Sequence, residues 1–140
     1  MLLIDLIIQR QFKMSDVKEF TPVDFVSKNP QKLINDYKGK ITFVKFYSPG
    51  CIHCINSQPE YEKLATTLKD DSQYVIAEFD CTKYPDFMSL LQQNKGHKYG
   101  YKVKGYPTFI IFVNSLYFQT YNDGRELNNY LNTLANIQTS

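Results

Sequence analysis

The chain has 140 residues, 43% of them hydrophobic and 21% charged, and a formal net charge of +2. One domain of this size buries about two-thirds of its unfolded surface, enough for a core without staples, and its apolar content argues against disorder. The small net charge and the lack of a long basic run argue against a nucleic-acid partner, and 3 cysteines do not make the paired framework of a small secreted scaffold.

The opening "MLLIDLIIQR" has an apolar run broken by Asp5, no preceding basic residue and no small-x-small site after it. It reads neither as a signal peptide nor, like the rest of the chain, as a membrane span. Residues 1–16 are expected to be a loosely ordered extension or partner-binding arm, with a membrane-surface anchor as the alternative. Met14 is a second natural start, and residues 17–140 form the domain. "TPVDFVSKN" begins like a helix, and "PQKLINDYKG" ends it at Gly39. "ITFVKFYS", 41–48, is continuously apolar and β-branched or aromatic, apart from Lys45, and predicts a central strand buried on both faces.

From Cys51 the pattern becomes helical, with Ile55, Tyr61, Leu64, Ala65 and Leu68 on one side and a kink expected at Pro59. "YVIAEFDC", 74–81, predicts a second strand. "PDFMSLLQQ", 85–93, predicts a short helix, and "NKGHKYG", 94–100, a polar loop. Strands 108–113 and 116–121 flank Asn114–Ser115 as a hairpin, and an amphipathic helix begins at Gly124. This alternation implies an α/β fold: a mixed sheet with helices on both faces, its first two long strands parallel.

Cys51 therefore falls where a central strand gives way to a helix. A helix N-terminus favours an anion, which for a cysteine is the nucleophilic thiolate. Cys54 lies on the same face, within reach of the first sulfur, and a protonated His53 adds positive charge. Two other uses of the pair exist. It is half of a zinc site, but Cys81, His53 and His97 have no matching spacing for the other half. As a structural disulfide it closes too small a loop to stabilise much. Cys-x-x-Cys beside a strand–helix–strand pattern reads as redox.

"VKFYSPGCIHC", Pro59 and "VKGYPTFIIF", in that order, resemble the thioredoxin superfamily, most of all a catalytic domain of protein disulfide isomerase, over roughly residues 17–137. The resemblance implies the thioredoxin fold and a cis peptide before Pro107. It implies that Tyr106, with Gly105, Pro107, Ile52 and Gly50 around it, meets substrate. Two positions depart from the family: Gly50 stands where Trp is usual, and Ile52 where Gly is usual. A third is a charge swap. Lys45 occupies the place of a buried carboxylate that serves the second cysteine, and Glu78 the place of a lysine. A buried pair is expected beneath Cys54, with Glu78 as proton acceptor. Arg125 matches an arginine that modulates the second thiol. Cys81 reads as a small buried apolar residue, and residues 94–100 as an insertion at the rim, either substrate-binding or a tolerated loop.

The resulting expectation is a thiol–disulfide oxidoreductase. Cys51 is the nucleophile, Cys54 the resolving thiol and His53 the thiolate stabiliser. Lys45, Glu78 and Arg125 act on protons and charge. Oxidase or isomerase action is favoured over that of a thioredoxin-like reductase. No cofactor or metal is implied, the partners are protein or peptide thiols and disulfides, and a monomer is favoured. The rival class is a redox-silent peptide-binding or chaperone module of the same fold. No address is legible, so the cytoplasm is the default, with an oxidising compartment or a virus particle as alternatives.

Overall fold

A computed structural model describes residues 15–93 and 100–139. Expectations for residues 1–14, for 94–99 with His97, and for Ser140 lie outside the described residues. Seven strands form one sheet: β1 Lys18–Phe20, β2 Phe25–Val26, β3 Asn29–Leu33, β4 Ile41–Tyr47, β5 Tyr74–Asp80, β6 Thr108–Val113 and β7 Leu116–Tyr121, in the order β1-β5-β4-β6-β7-β3-β2. Among the described residues three α-helices flank the sheet: α1 Ile52–Leu68, α2 Pro85–Gln93 and α3 Leu127–Ala135. β5 runs parallel to β4 and β1; the remaining pairs are antiparallel, giving the mixed sheet that the alternation implied. No helix of the described residues is long and apolar enough to cross a membrane.

β4 is the axis of the molecule. Residues 41–46 are all buried, because the strand is covered on both faces. Val44 and Phe46 face one cluster with Phe25, Phe79, Phe87 and Phe112, under α2. Ile41 and Phe43 face the other with Tyr61, Leu64, Phe109, Tyr121 and Tyr130, under α1 and α3. Aromatic rings carry much of both; Phe43 alone meets Tyr61, Phe109, Tyr121 and Tyr130 at centroid distances of 5.8, 5.7, 5.3 and 5.6 Å. The hairpin expected at Asn114–Ser115 is present. Both residues have positive φ, 54° and 71°, as a two-residue turn between twisted strands requires.

The helix expected from Thr21 to Gly39 does not form. Thr21 does cap a helix start, in a reciprocal capping box with Asp24, but the turn is a single 3-10 turn, Pro22–Asp24. β2 and β3 then make a hairpin at the sheet edge, and a second 3-10 turn covers Asn35–Tyr37. Two causes are visible. Phe25 is drawn into a nest of rings, 4.7 Å from Phe87 and 5.8 Å from Phe79 by centroid. Pro30 is unfit for a helix interior but is tolerated in an edge hairpin. The long helix does form and runs through Pro59, with Cys51 as its cap.

Tyr61 ties α1 to the sheet. Its buried hydroxyl donates to the carbonyls of Phe43 (2.9 Å) and Ala77 (2.6 Å), one on each of the two central parallel strands. The Tyr130 hydroxyl, also buried, has no hydrogen-bond partner among the described residues. Tyr61→Phe should therefore lower the unfolding free energy by about 1–3 kcal/mol, and Tyr130→Phe should be neutral or stabilising. Denaturant titration of the two variants checks the contrast, and equal losses would contradict it.

Candidate active site

The register of β4 assembles the site. Thr108, which begins β6, pairs with Phe46, so Tyr106 and Pro107 arrive at the end of β4 where the chain turns into α1. The turn is closed by Cys51 N–H donating to the Ser48 carbonyl at 3.1 Å, and the helix begins with Ile55 N–H donating to the Cys51 carbonyl at 3.1 Å. Cys51 is the N-cap residue, in extended backbone conformation. The Tyr106–Pro107 peptide is cis, and the Tyr106 carbonyl accepts from the Cys51 thiol at 3.4 Å.

The two sulfurs of the motif differ in kind. Cys51 is partly exposed, Cys54 is 4% exposed, and both are free thiols. The Cys51 thiol is held below its ordinary range, first by a hydrogen bond from the Cys54 thiol, then by the Cys54 and His53 backbone N–H groups and by the charge of Arg125, against some desolvation. Burial pushes the Cys54 thiol up; the Ser48 backbone and the Lys45 ammonium oppose the rise. His53 thus reaches the nucleophile through its backbone, while its imidazole is exposed. Ile52 and Ile55 are also exposed, and Tyr106 is 39% exposed, making an apolar rim. Gly50 is exposed, and a Cβ built on it meets nothing within 4 Å.

Lys45 and Glu78 are register neighbours on β4 and β5, but they do not touch as a direct ion pair. Gln58 stands between them. Lys45 Nζ donates to the Cys54 carbonyl (2.8 Å) and to Gln58 Oε1 (2.6 Å). Gln58 Nε2 donates to Glu78 (3.1 Å) and to Glu62 (2.8 Å). Lys45 is 1% exposed, and burial draws its pKa down, while the Cys54 and Glu78 charges draw it up. Glu78 is raised by its own burial, against the Gln58 hydrogen bond. Sequence reasoning missed Gln58. Its signal was present: a polar residue four positions after Cys54 lies on the same helical face. Glu78 and Cys54 also share a hollow of about 240 Å³ with Tyr47, Pro49 and Gln58.

Cys81 is buried, its thiol donating to the Phe79 carbonyl at 3.8 Å beside the Tyr106 hydroxyl, and burial pushes it up to about 12. Arg125 is exposed, with its guanidinium 5.7 Å from the Phe109 ring centre. Among the described residues no group of three or more His, Cys, Asp or Glu side chains could hold a metal ion.

Two expectations follow. Limited alkylation of the reduced protein should label Cys51 first, and its rate should fall only as pH drops below the ordinary thiol range, where a depressed pKa still leaves thiolate. First labelling of Cys54 or Cys81, read by peptide mapping, would contradict the assignment. Lys45→Met and Gln58→Leu share hydrogen bonds, so their stability losses should depart from additivity by about 0.5–3 kcal/mol in a denaturant-unfolding cycle.

The chain is similar to several known proteins. Protein disulfide-isomerase 1 of Dictyostelium discoideum is 38% identical over 98 residues, covering 69% of this chain and 25% of that protein. Protein disulfide isomerase-like 2-2 of Oryza sativa subsp. japonica is 38% identical over 95 residues, covering 67% of this chain and 23% of that protein. The chain thus spans about a quarter of the length of these curated relatives. Among solved structures, the Trx4 domain of ERdj5 superposes with a TM-score of 0.60 at 21% identity, over 87% of this chain and 95% of that one. A family model described as Thioredoxin matches residues 21–136, and the chain belongs to the thioredoxin family.

Proposed function

We propose that residues 17–140 are a catalytic domain that exchanges thiols and disulfides with protein or peptide substrates through Cys51 and Cys54. The observation that carries this reading is the asymmetry of the pair: an acidic, accessible thiol at a helix cap, backed by a buried, reluctant one. A purely structural disulfide has no use for that difference. The named relatives, protein disulfide isomerases, support the same reading.

In the reductive direction, the Cys51 thiolate attacks one sulfur of a substrate disulfide. A Cys51–substrate disulfide forms, and the second substrate sulfur leaves with the electron pair. Cys54 then loses its proton and attacks Cys51. The Cys51–Cys54 bond forms, the mixed disulfide breaks, and the substrate departs with both sulfurs reduced. The reverse sequence oxidises a substrate dithiol. Glu78, across the shared hollow, accepts the Cys54 proton through water. Lys45, held by Gln58, stabilises the Cys54 thiolate as it forms. The charge of Arg125 and the backbone of His53 favour the Cys51 thiolate. Stabilising the thiolates makes the disulfide a better oxidant, which favours oxidase or isomerase work in an oxidising compartment; a reducing cytosol keeps the pair as thiols. Tyr106, with Gly105, Pro107, Ile52 and Gly50 around it, receives the substrate backbone by strand-like pairing.

Wild type should restore activity to scrambled ribonuclease and Cys51→Ser should not; equal behaviour of the two would leave only a peptide-binding role. Glu78→Gln keeps the shape but removes the base, so mixed disulfides should persist about 10²-fold longer near neutral pH. Because the Glu78 pKa is raised, wild-type resolution should itself slow as pH falls through mildly acidic values, and the variant should lack that inflection. Quenched-flow trapping of the mixed disulfide across pH checks both, and an unchanged lifetime would remove Glu78 from the mechanism.

A further inference from the structure

Beyond Pro107 the surface is not neutral. A groove of about 480 Å³ leads away from the cis peptide, with Tyr101, Lys102, Lys104, Pro107, Asp123 and Arg125 among its walls. Lys102, Lys104 and Arg125 are exposed cations, and they face one carboxylate, Asp123. That carboxylate is partly engaged, since it accepts from the Gly124 N–H at 2.8 Å.

The cations sit on anchored supports. The backbone of Tyr101 is clamped by Gln31, whose Nε2 donates to the Tyr101 carbonyl (3.2 Å) while its Oε1 accepts from the Tyr101 N–H (2.8 Å). The Tyr101 hydroxyl, in turn, donates to the Pro30 carbonyl at 2.7 Å. At the far end of the same segment, Tyr106 lies against Cys51. Lys102 and Lys104 are thus carried on a stretch fixed at both ends, and Arg125 is steadied by the Phe109 ring. Arg125 is also close enough to lower the Cys51 pKa, so the groove and the nucleophile share one field.

We propose that this groove selects acidic segments of client chains, so that a client cysteine flanked by Asp or Glu is the preferred partner of Cys51. The proposal rests on the oxidoreductase reading above and adds a substrate class to it. A cleft lined by one sign of charge concentrates ligands of the opposite sign and speeds their encounter by ~10–10³-fold at low ionic strength. The effect fades when the screening length shrinks to about 3 Å, near 1 M salt. Mixed-disulfide formation is the step that feels this, because it is the bimolecular one.

The test uses the full chain as Cys54→Ser, so that the mixed disulfide cannot be resolved. Two peptides are compared, identical except for two Glu or two Lys flanking a central cysteine that is capped as its thionitrobenzoate disulfide. The Cys51 thiolate attacks the peptide sulfur, the Cys51–peptide bond forms, and thionitrobenzoate leaves as a coloured thiolate, so no further oxidant is needed. The readout is the ratio of the two rates within one protein, from which the intrinsic reactivity of Cys51 cancels. The Glu peptide should react about 10-fold faster at low salt, with the ratio falling toward one near 1 M salt. In the Lys102→Glu/Lys104→Glu variant the ratio should drop to one or below. A ratio of one in the parent protein, or a ratio unmoved by the double substitution, overturns the acidic-client assignment and leaves the oxidoreductase reading intact. Failure of both peptides to react overturns both.

Discussion

The burial of β4 on both faces is the constraint from which the site follows. A strand packed between two aromatic clusters has a fixed register with its neighbours, since a slip of one residue would turn Phe43 and Phe46 to the wrong sides. That register sets the end of β4 against the start of β6. It therefore sets the Cys51 cap against the Tyr106 carbonyl. The lowered pKa of the reactive thiol follows from this placement: the Cys54 thiol, then the backbone of Cys54 and His53 at the start of α1, favour the thiolate.

Beneath the thiols the chain keeps ionisable groups apart yet connected. A buried ammonium is costly when alone, and direct pairing with a carboxylate offsets the cost only with good geometry. Here an amide does the joining. Gln58 presents its oxygen to Lys45 and its nitrogen to Glu78 and Glu62, so both signs of charge are satisfied without contact. The Cys54 carbonyl takes a further hydrogen bond from Lys45. Lys45 and Cys54 act on one another: the thiolate holds the ammonium protonated, and the ammonium draws the thiol pKa down against burial. Glu78 remains beside the hollow, where water has access to it.

Much of this was legible from sequence. The long β4 run, the cysteine spacing at a strand-to-helix change, the Asn114–Ser115 turn and the α2 span all rest on local chemistry, and all appear in the structure. The Thr21–Gly39 stretch was misread because its cap signal is genuine and local, whereas its fate is decided by distant rings around Phe25. The charge swap was visible, but the residue standing between the charges was not. Facing residues can be read from strand alignment, but the reach of a glutamine side chain across a helix–sheet boundary depends on the packing distance. Arg125 was legible through the family likeness, but its grouping with Lys102 and Lys104 was not, since the three come from two separate loops.

The open space at Gly50 has an optical consequence. The chain contains no tryptophan, and a Cβ at Gly50 meets no neighbouring atom within 4 Å. An indole introduced there would be the sole one in the chain, next to Cys51, on a turn with room for a Cβ. Thiols quench indole fluorescence differently from disulfides, so Gly50→Trp would turn the mouth of the site into its own redox gauge. The open space beside the nucleophile is also the place where its chemistry is easiest to watch.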